Sequence, residues 1–331
     1  MKLSGKGIFV FSDPAGAKAV LALAKENLNR ISQYLIISDR QYPFFADFGL
    51  QVSSPRGSAE ETLRNFSPDF IFTGTSYTSK IELQYIEAAR RLGISSGTFI
   101  DHWTNMGARF TSDKVRIYPD NIYVIDKRAK DHAMADGIPA EILHIAENPY
   151  YSYLKTWKPR ISREECFSAY AKTEIEKKKI LAFLPEPLSN VGGTEKYGFD
   201  EITVFSLLCD ALNNLDKEMK SELALVVKPH PNQKPDTLDA VVKTLKKNSS
   251  IEIIYVENMD VNSLMYYSIL VIGMFSNSLI EAQCLHKPVL RILPELKGED
   301  TLEGVVKGPI CSSETDIRNE LPKFLGEARH K

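Results

Sequence analysis

Two stretches in the C-terminal half of the chain carry residue types that suit an oxyanion. In LALVVKPHPNQ, an apolar run at 223–227 ends in Lys228, His230 and Pro231, and the flanking prolines restrict the direction in which the imidazole leaves the strand. Such a ring can donate to a phosphate oxygen, although a His-Pro pair also occurs in plain solvent-facing turns. In LVIGMFSNSLIEAQ, a strand over 269–272 is followed by Ser276, Asn277 and Ser278, which open a helix and offer hydroxyls and free backbone N–H groups to an anion. The same residues are ordinary N-caps. Glu281, about one turn on, either reaches back toward a ribose diol or closes a capping box on the Ser278 amide.

A second set lies in the N-terminal half. FIDHWTNMGARF places Asp101 and His102 at the carboxyl end of a strand, with Trp103 and Asn105 next, supplying two proton acceptors and an aromatic wall. Either acceptor is fit to take a proton from a group within hydrogen-bond reach. The other reading is an Asp that caps the following turn beside a packed Trp. Asp13, in FSDPAGAK, reads first as the N-cap ahead of Pro14 and second as a base. Gly192 and Gly193 either let a backbone approach a ligand or loosen a surface loop. No dinucleotide fingerprint, Walker lysine, DxD pair, HxxxH spacing or Gly-x-Ser-x-Gly elbow occurs, so neither a bound metal nor a cofactor is expected.

These residues need a scaffold, and the composition supplies an ordinary globular one. The 331 residues are 43% hydrophobic and 25% charged, a length that suggests two domains. With 41 basic against 43 acidic residues the chain lacks the basic surface that nucleic acid demands. Cys166, Cys209, Cys284 and Cys311 show no CxxC spacing, and no run approaches the ~20 apolar residues of a membrane span. The apolar run near the N-terminus is too short for a signal peptide, and a cytoplasmic location is expected.

Strands and helices alternate along the chain. Strands are predicted over 7–11, 34–38, 70–73, 97–100, 121–125 and 142–145, separated by helices over 15–29, 58–65, 80–92 and 127–136. A second series has strands over 180–184, 223–227, 251–256, 269–272 and 289–293, with helices over 200–215, 236–246, 262–267, 278–285 and 314–327. The expected α/β architecture is two Rossmann-like, doubly wound parallel-sheet domains facing across a cleft: an acceptor-side domain over 1–150, a linker over 151–179 and a donor-binding domain over 180–331. The aromatic run at 150–157, with Lys155, Lys158 and Arg160, reads as a packed strap; the other reading is a peripheral contact with the inner membrane.

Together, KPHPN at 228–232, FSNSLIE at 275–281, HKPV at 286–289 and ENPYYSYL at 147–154 resemble the GT-B glycosyltransferases. The match is similar to the bacterial sialyltransferases and Kdo transferases of capsule and lipopolysaccharide synthesis and to the CDP-glycerol glycerophosphotransferases. The resemblance implies a nucleotide-sugar donor in the C-terminal domain, with His230 on its phosphate, the Ser276 and Ser278 region binding phosphate and Glu281 at ribose; Lys228, Pro231, Asn277, Gly192 and Gly193 complete the expected binding set. It also implies a base at Asp101 or His102, although the Asp-Asp-Gly or Glu-Asp-Gly of the sialyltransferase type is replaced here by IDHWTNMG. The expected activity is metal-independent, inverting sugar transfer to a surface-glycan or lipid-linked acceptor. A nucleotide-sugar 2-epimerase or hydrolase, a glycerophosphotransferase and a non-catalytic scaffold of polysaccharide assembly are the alternatives.

Overall fold

The computed structural model describes residues 1–173, 175–234 and 237–327. The chain divides into two compact units, Met1–Tyr153 and Leu154–Lys331. Their central strands are apolar almost throughout: Ile8, Phe9, Val10 and Phe11 are buried in one unit, as are Leu223 to Val227 in the other. A strand covered on both faces has no polar side to present, which favours a parallel sheet flanked by helices.

In the first unit the strands are β1 (Gly5–Phe11), β2 (Ile31–Ser38), β3 (Phe70–Thr73), β4 (Ser95–Ile100), a small antiparallel ribbon β5 (Thr111–Ser112) and β6 (Val115–Arg116), β7 (Asn121–Val124) and β8 (Leu143–Ile145). The sheet runs β2-β1-β3-β4-β7-β8, with every pairing parallel. Strand order reverses between β1 and β3, the position where such sheets open a crevice at their carboxyl edge. Here the chain is tightly apposed: a Cβ on Gly74 would lie 3.1 Å from the Gly16 Cα, so the first helix, Pro14–Asn27, packs directly on the end of β3. No larger residue fits at either position without moving backbone.

The second unit contains β9 (Lys179–Phe183), β10 (Leu223–Val227), β11 (Glu252–Tyr255), β12 (Ser268–Gly273), β13 (Val289–Ile292) and β14 (Ile310–Cys311), ordered β11-β10-β9-β12-β13-β14 and also wholly parallel. Its reversal falls between β9 and β12. The helix Glu201–Asn213 buries Val204, Phe205, Leu208 and Leu212 against this sheet, with Phe205 stacked on Phe183 at 5.8 Å. Helix starts follow the expected side-chain chemistry: Ser58 and Glu61 form a capping box, and Asp126, Asp200 and Asp260 each accept an amide of the first turn.

The α/β, doubly wound architecture is therefore as expected for both halves. The helix anticipated over 236–246 begins at Asp236, outside the described residues; the observed helix is Leu238–Asn248. Within 151–179, Ser162 and Glu165 form a capping box on the helix Arg163–Phe167. The Tyr267 hydroxyl donates to the Ile161 carbonyl at 2.6 Å, and Arg163 donates to the Tyr267 carbonyl at 3.2 Å. Tyr150 and Trp157 are buried: Tyr150 beneath the Lys18 ammonium in the first unit, Trp157 edge-on to Tyr266 in the second. These rings are packing, and nothing supports the membrane contact. Among the described residues no helix is long and apolar enough to cross a membrane.

Candidate functional site

The reversal point of the second unit is built from three loops that leave adjacent strands. After β12, Ser276 caps the helix Asn277–Cys284, its hydroxyl accepting the Ser278 amide at 3.2 Å. The peptide joining Met274 to Phe275 is held from both sides. Glu186, just beyond β9, accepts the Phe275 amide at 2.8 Å, and Arg291 Nε donates to the Met274 carbonyl at 3.0 Å. Arg291, only 1% exposed, is itself gripped in bidentate fashion by Asp300. The Glu186 Oε2 is sealed off without a partner. Burial pushes this carboxyl up to about 7, against the nearby Arg291, with Glu201 adding repulsion.

Beyond β10, His230 Nδ1 accepts the Asn232 amide at 3.1 Å, so the neutral ring carries its proton on Nε2, free to donate. Burial, followed by the Lys228 charge, holds the imidazole below its ordinary pKa and keeps it neutral at pH 7. The adjacent loop is tied to this turn. Asn190 donates to the Asn232 carbonyl at 2.8 Å, while buried Glu201 accepts the Ser189 amide and Gln233 Nε2, each at 2.9 Å. Gly192 and Gly193 follow with φ of 110° and 42°, conformations that L side chains rarely adopt.

Lys228 donates to the Glu257 carbonyl at 2.9 Å. One expectation is corrected here. Because Ser276 is the N-cap, the capping-box position belongs to Leu279, and Glu281 lies too far along the helix to fill it. Glu186, Arg291 and Glu201 were not singled out from the sequence. Glu186 stands in a Pro-Glu-Pro stretch that reads as a loop, and the other two fall within an apolar strand and a helix.

In the first unit Asp101 follows β4 and is 7% exposed, and His102 beside it is half-buried. His102 Nδ1 accepts the Thr104 amide at 3.2 Å; burial holds the ring below its ordinary pKa, with Asp101 opposing and Arg109 reinforcing. Trp103 is a brace and not an exposed wall: its indole donates to Asp126 at 2.7 Å, and its carbonyl accepts His132 Nδ1 at 2.7 Å. Asp13 occupies the N-cap position, but its carboxylate accepts the Tyr77 amide and the Thr78 hydroxyl, each at 3.0 Å, and pairs with Arg40 at 3.2 Å. Beneath it Glu82, 3% exposed, accepts the Ser12 amide at 2.9 Å, and burial drives its carboxyl up to about 7.

No family model matches the sequence, and no curated protein does. Solved structures match over nearly the whole chain. The UDP-GlcNAc 2-epimerase of Methanocaldococcus jannaschii shares 14% identity over 97% of this chain and 92% of its own, with a TM-score of 0.67. That of Neisseria meningitidis, bound to UDP-GlcNAc, shares 15% over 98% and 92%, at 0.63. Anabaena HepE in complex with UDP-glucose shares 13% over 97% and 90%, at 0.61. At such identity the likeness establishes the fold, the GT-B-like pair of parallel-sheet domains that these epimerases also have. The expectation of a glycosyltransferase is overturned, because the matching enzymes are recurrently UDP-GlcNAc 2-epimerases, isomerases and not transferases. The narrower likeness to sialyltransferases and Kdo transferases finds no support among them.

Proposed function

We propose that the protein is a nucleotide-sugar 2-epimerase acting on a UDP-linked 2-acetamido sugar. The observation that carries this reading is the Ser276 helix start at the β9–β12 reversal, its leading peptide held by Glu186 and Arg291. A helix terminus so held presents amides to a diphosphate with little reorganisation. The fold shared with epimerases, one of them bound to UDP-GlcNAc, supports the choice of ligand.

Inversion at C2 of such a sugar is hard because no carbonyl acidifies the C2 proton. The chemistry becomes accessible when a base takes that proton, the C–H pair forms a C1–C2 double bond and the diphosphate departs with the C1–O electrons. Re-addition of the diphosphate at C1 and return of a proton to the other face of C2 complete the inversion. This needs an anion site and proton-handling groups. Ser276, Asn277 and Ser278 take the diphosphate, His230 donates its Nε2 proton toward the departing oxygens, Glu281 contacts ribose, and the Gly192–Gly193 loop lets backbone approach the ligand. Asp101 and His102 are the first unit's candidates for a group that handles a proton.

Proton NMR of UDP-GlcNAc incubated with the protein in D2O tests this directly. The expected result is deuterium at C2 together with a second set of anomeric signals. Absence of exchange, combined with no thermal stabilisation by UDP, would refute it.

A further inference from the structure

Arg109 is a buried cation without a counter-ion. It is 8% exposed, its Nη1 donates to the Thr75 hydroxyl at 3.0 Å, and its guanidinium lies 4.5 Å from the centre of the Tyr77 ring. Its Nε is buried with no partner, and among the described residues no carboxylate comes within the 4.0 Å of an ion pair. Guanidinium does not discharge by losing its proton, so this site holds a desolvated positive charge whose direct contacts are all with neutral groups.

The surroundings are rigid. The Gly107 amide donates to Asp136 at 3.1 Å, the Thr111 hydroxyl to the Gly107 carbonyl at 2.8 Å and the Tyr77 hydroxyl to the Asn105 carbonyl at 3.2 Å, while Met106 and Phe110 are fully buried. The charged neighbours are Asp101, which acts on His102 in the opposite sense to Arg109, and Asp136, which opposes Arg109 at Tyr77. Thr75 lies just past β3 and Asp101 just past β4, two paired strands, so the guanidinium stands at the sheet edge where parallel sheets take ligands.

We infer that Arg109, with Thr75 and Tyr77, forms an oxyanion-binding subsite of the first unit that accepts a phosphate or carboxylate group of a ligand. The inference borrows the nucleotide-sugar reading only for its choice of probes. Thermal melts and titrations of wild type, Arg109→Met and Arg109→Lys with inorganic diphosphate, UDP, UDP-glucose and UDP-glucuronate decide it. Ligand-free Arg109→Met should melt at or above wild type, because an unpaired buried charge is gone, while its anion affinity falls about tenfold or more. Arg109-dependent binding of diphosphate identifies a phosphate as the guest; an Arg109-dependent preference for UDP-glucuronate over UDP-glucose identifies a carboxylate. A destabilised Arg109→Met with unchanged anion binding would overturn the subsite and make Arg109 a structural tie for Thr75. Should that variant not fold, Arg109→Lys keeps the charge but loses the planar fork: weakened anion binding supports the subsite and undiminished binding removes it. UDP, diphosphate and UDP-glucuronate each binding equally to all three proteins leaves the nucleotide reading intact and removes this subsite. Diphosphate acting through Arg109 while no nucleotide binds does the reverse.

Discussion

Glu186 accepts the Phe275 amide at 2.8 Å, fastening the chain beyond β9 to the chain beyond β12. Glu186→Ala leaves that amide without its acceptor and should lower stability by about 1–3 kcal/mol, read from urea unfolding. Glu186→Gln keeps an acceptor oxygen and should lose less. Equal losses in the two variants would show that the hydrogen bond contributes nothing.

Arg291 and Asp300 should be the most sensitive pair in the second unit. Truncating Arg291 to Ala strands a partly buried carboxylate and frees the Met274 carbonyl, a loss of about 3–5 kcal/mol. Replacing both partners, Arg291→Met with Asp300→Leu, should recover part of it. A double variant no more stable than Arg291→Ala contradicts the pairing argument.

Ser276 allows capping to be separated from ligand binding. Ser276→Ala removes the cap and should cost about 1 kcal/mol, whereas Ser276→Asp caps as well as serine does. The added negative charge should nevertheless weaken UDP binding by about tenfold or more. Calorimetric titration showing that Ser276→Asp binds UDP like wild type would remove the diphosphate from this corner.

Stability should fall as the pH rises through the acid-to-neutral range. Glu82 has its carboxyl raised from 4.5 to about 7, so the folded state holds a proton that the unfolded chain releases. The stabilisation is complete below about pH 4.5 and is lost by about pH 7. Glu186, raised over the same interval, has the same sign. In melts from pH 4.5 to 8, Glu82→Gln should reduce the decline and be the more stable protein at pH 8, by up to about 3 kcal/mol. An unaltered decline would rule Glu82 out as its source.

His230→Ala should reduce turnover about a hundredfold or more if the imidazole donates to the departing diphosphate. Since its pKa is held below the ordinary value, wild-type activity should persist to pH below 6.5 before the ring becomes charged. A pH–rate profile unchanged in the variant would exclude that role.

The periodic, strongly apolar elements were legible from the sequence: β10 was expected at its observed bounds, and β12 differs from expectation only at its ends. Ser276 and His230 were legible because Ser-Asn-Ser before an apolar helix and Lys-Pro-His-Pro after an apolar strand are local signals. Glu186 and Arg109 were not. Their significance lies in what they meet 89 and 34 residues away, Phe275 and Thr75, and in burial that no local pattern reports. The packed reading of Trp103 could not be chosen over the aromatic wall for the same reason, since Asp126 and His132, which turn it inward, lie in a later helix and its cap. The two-residue strand β14 is too short to have a period.

The three partners of Asp13 have a consequence for ligand choice. With Tyr77, Thr78 and Arg40 drawn onto its carboxylate, the start of the first helix is closed by an acid already paired with its own cation, so an anion held by Arg109 sits past β3 and β4 and not on that helix terminus. In the second sheet the helix after β9 likewise opens at an acid, Asp200, so the uncharged helix mouth there is the one after β12, where Ser276 supplies a hydroxyl and an anionic guest meets no carboxylate at the cap.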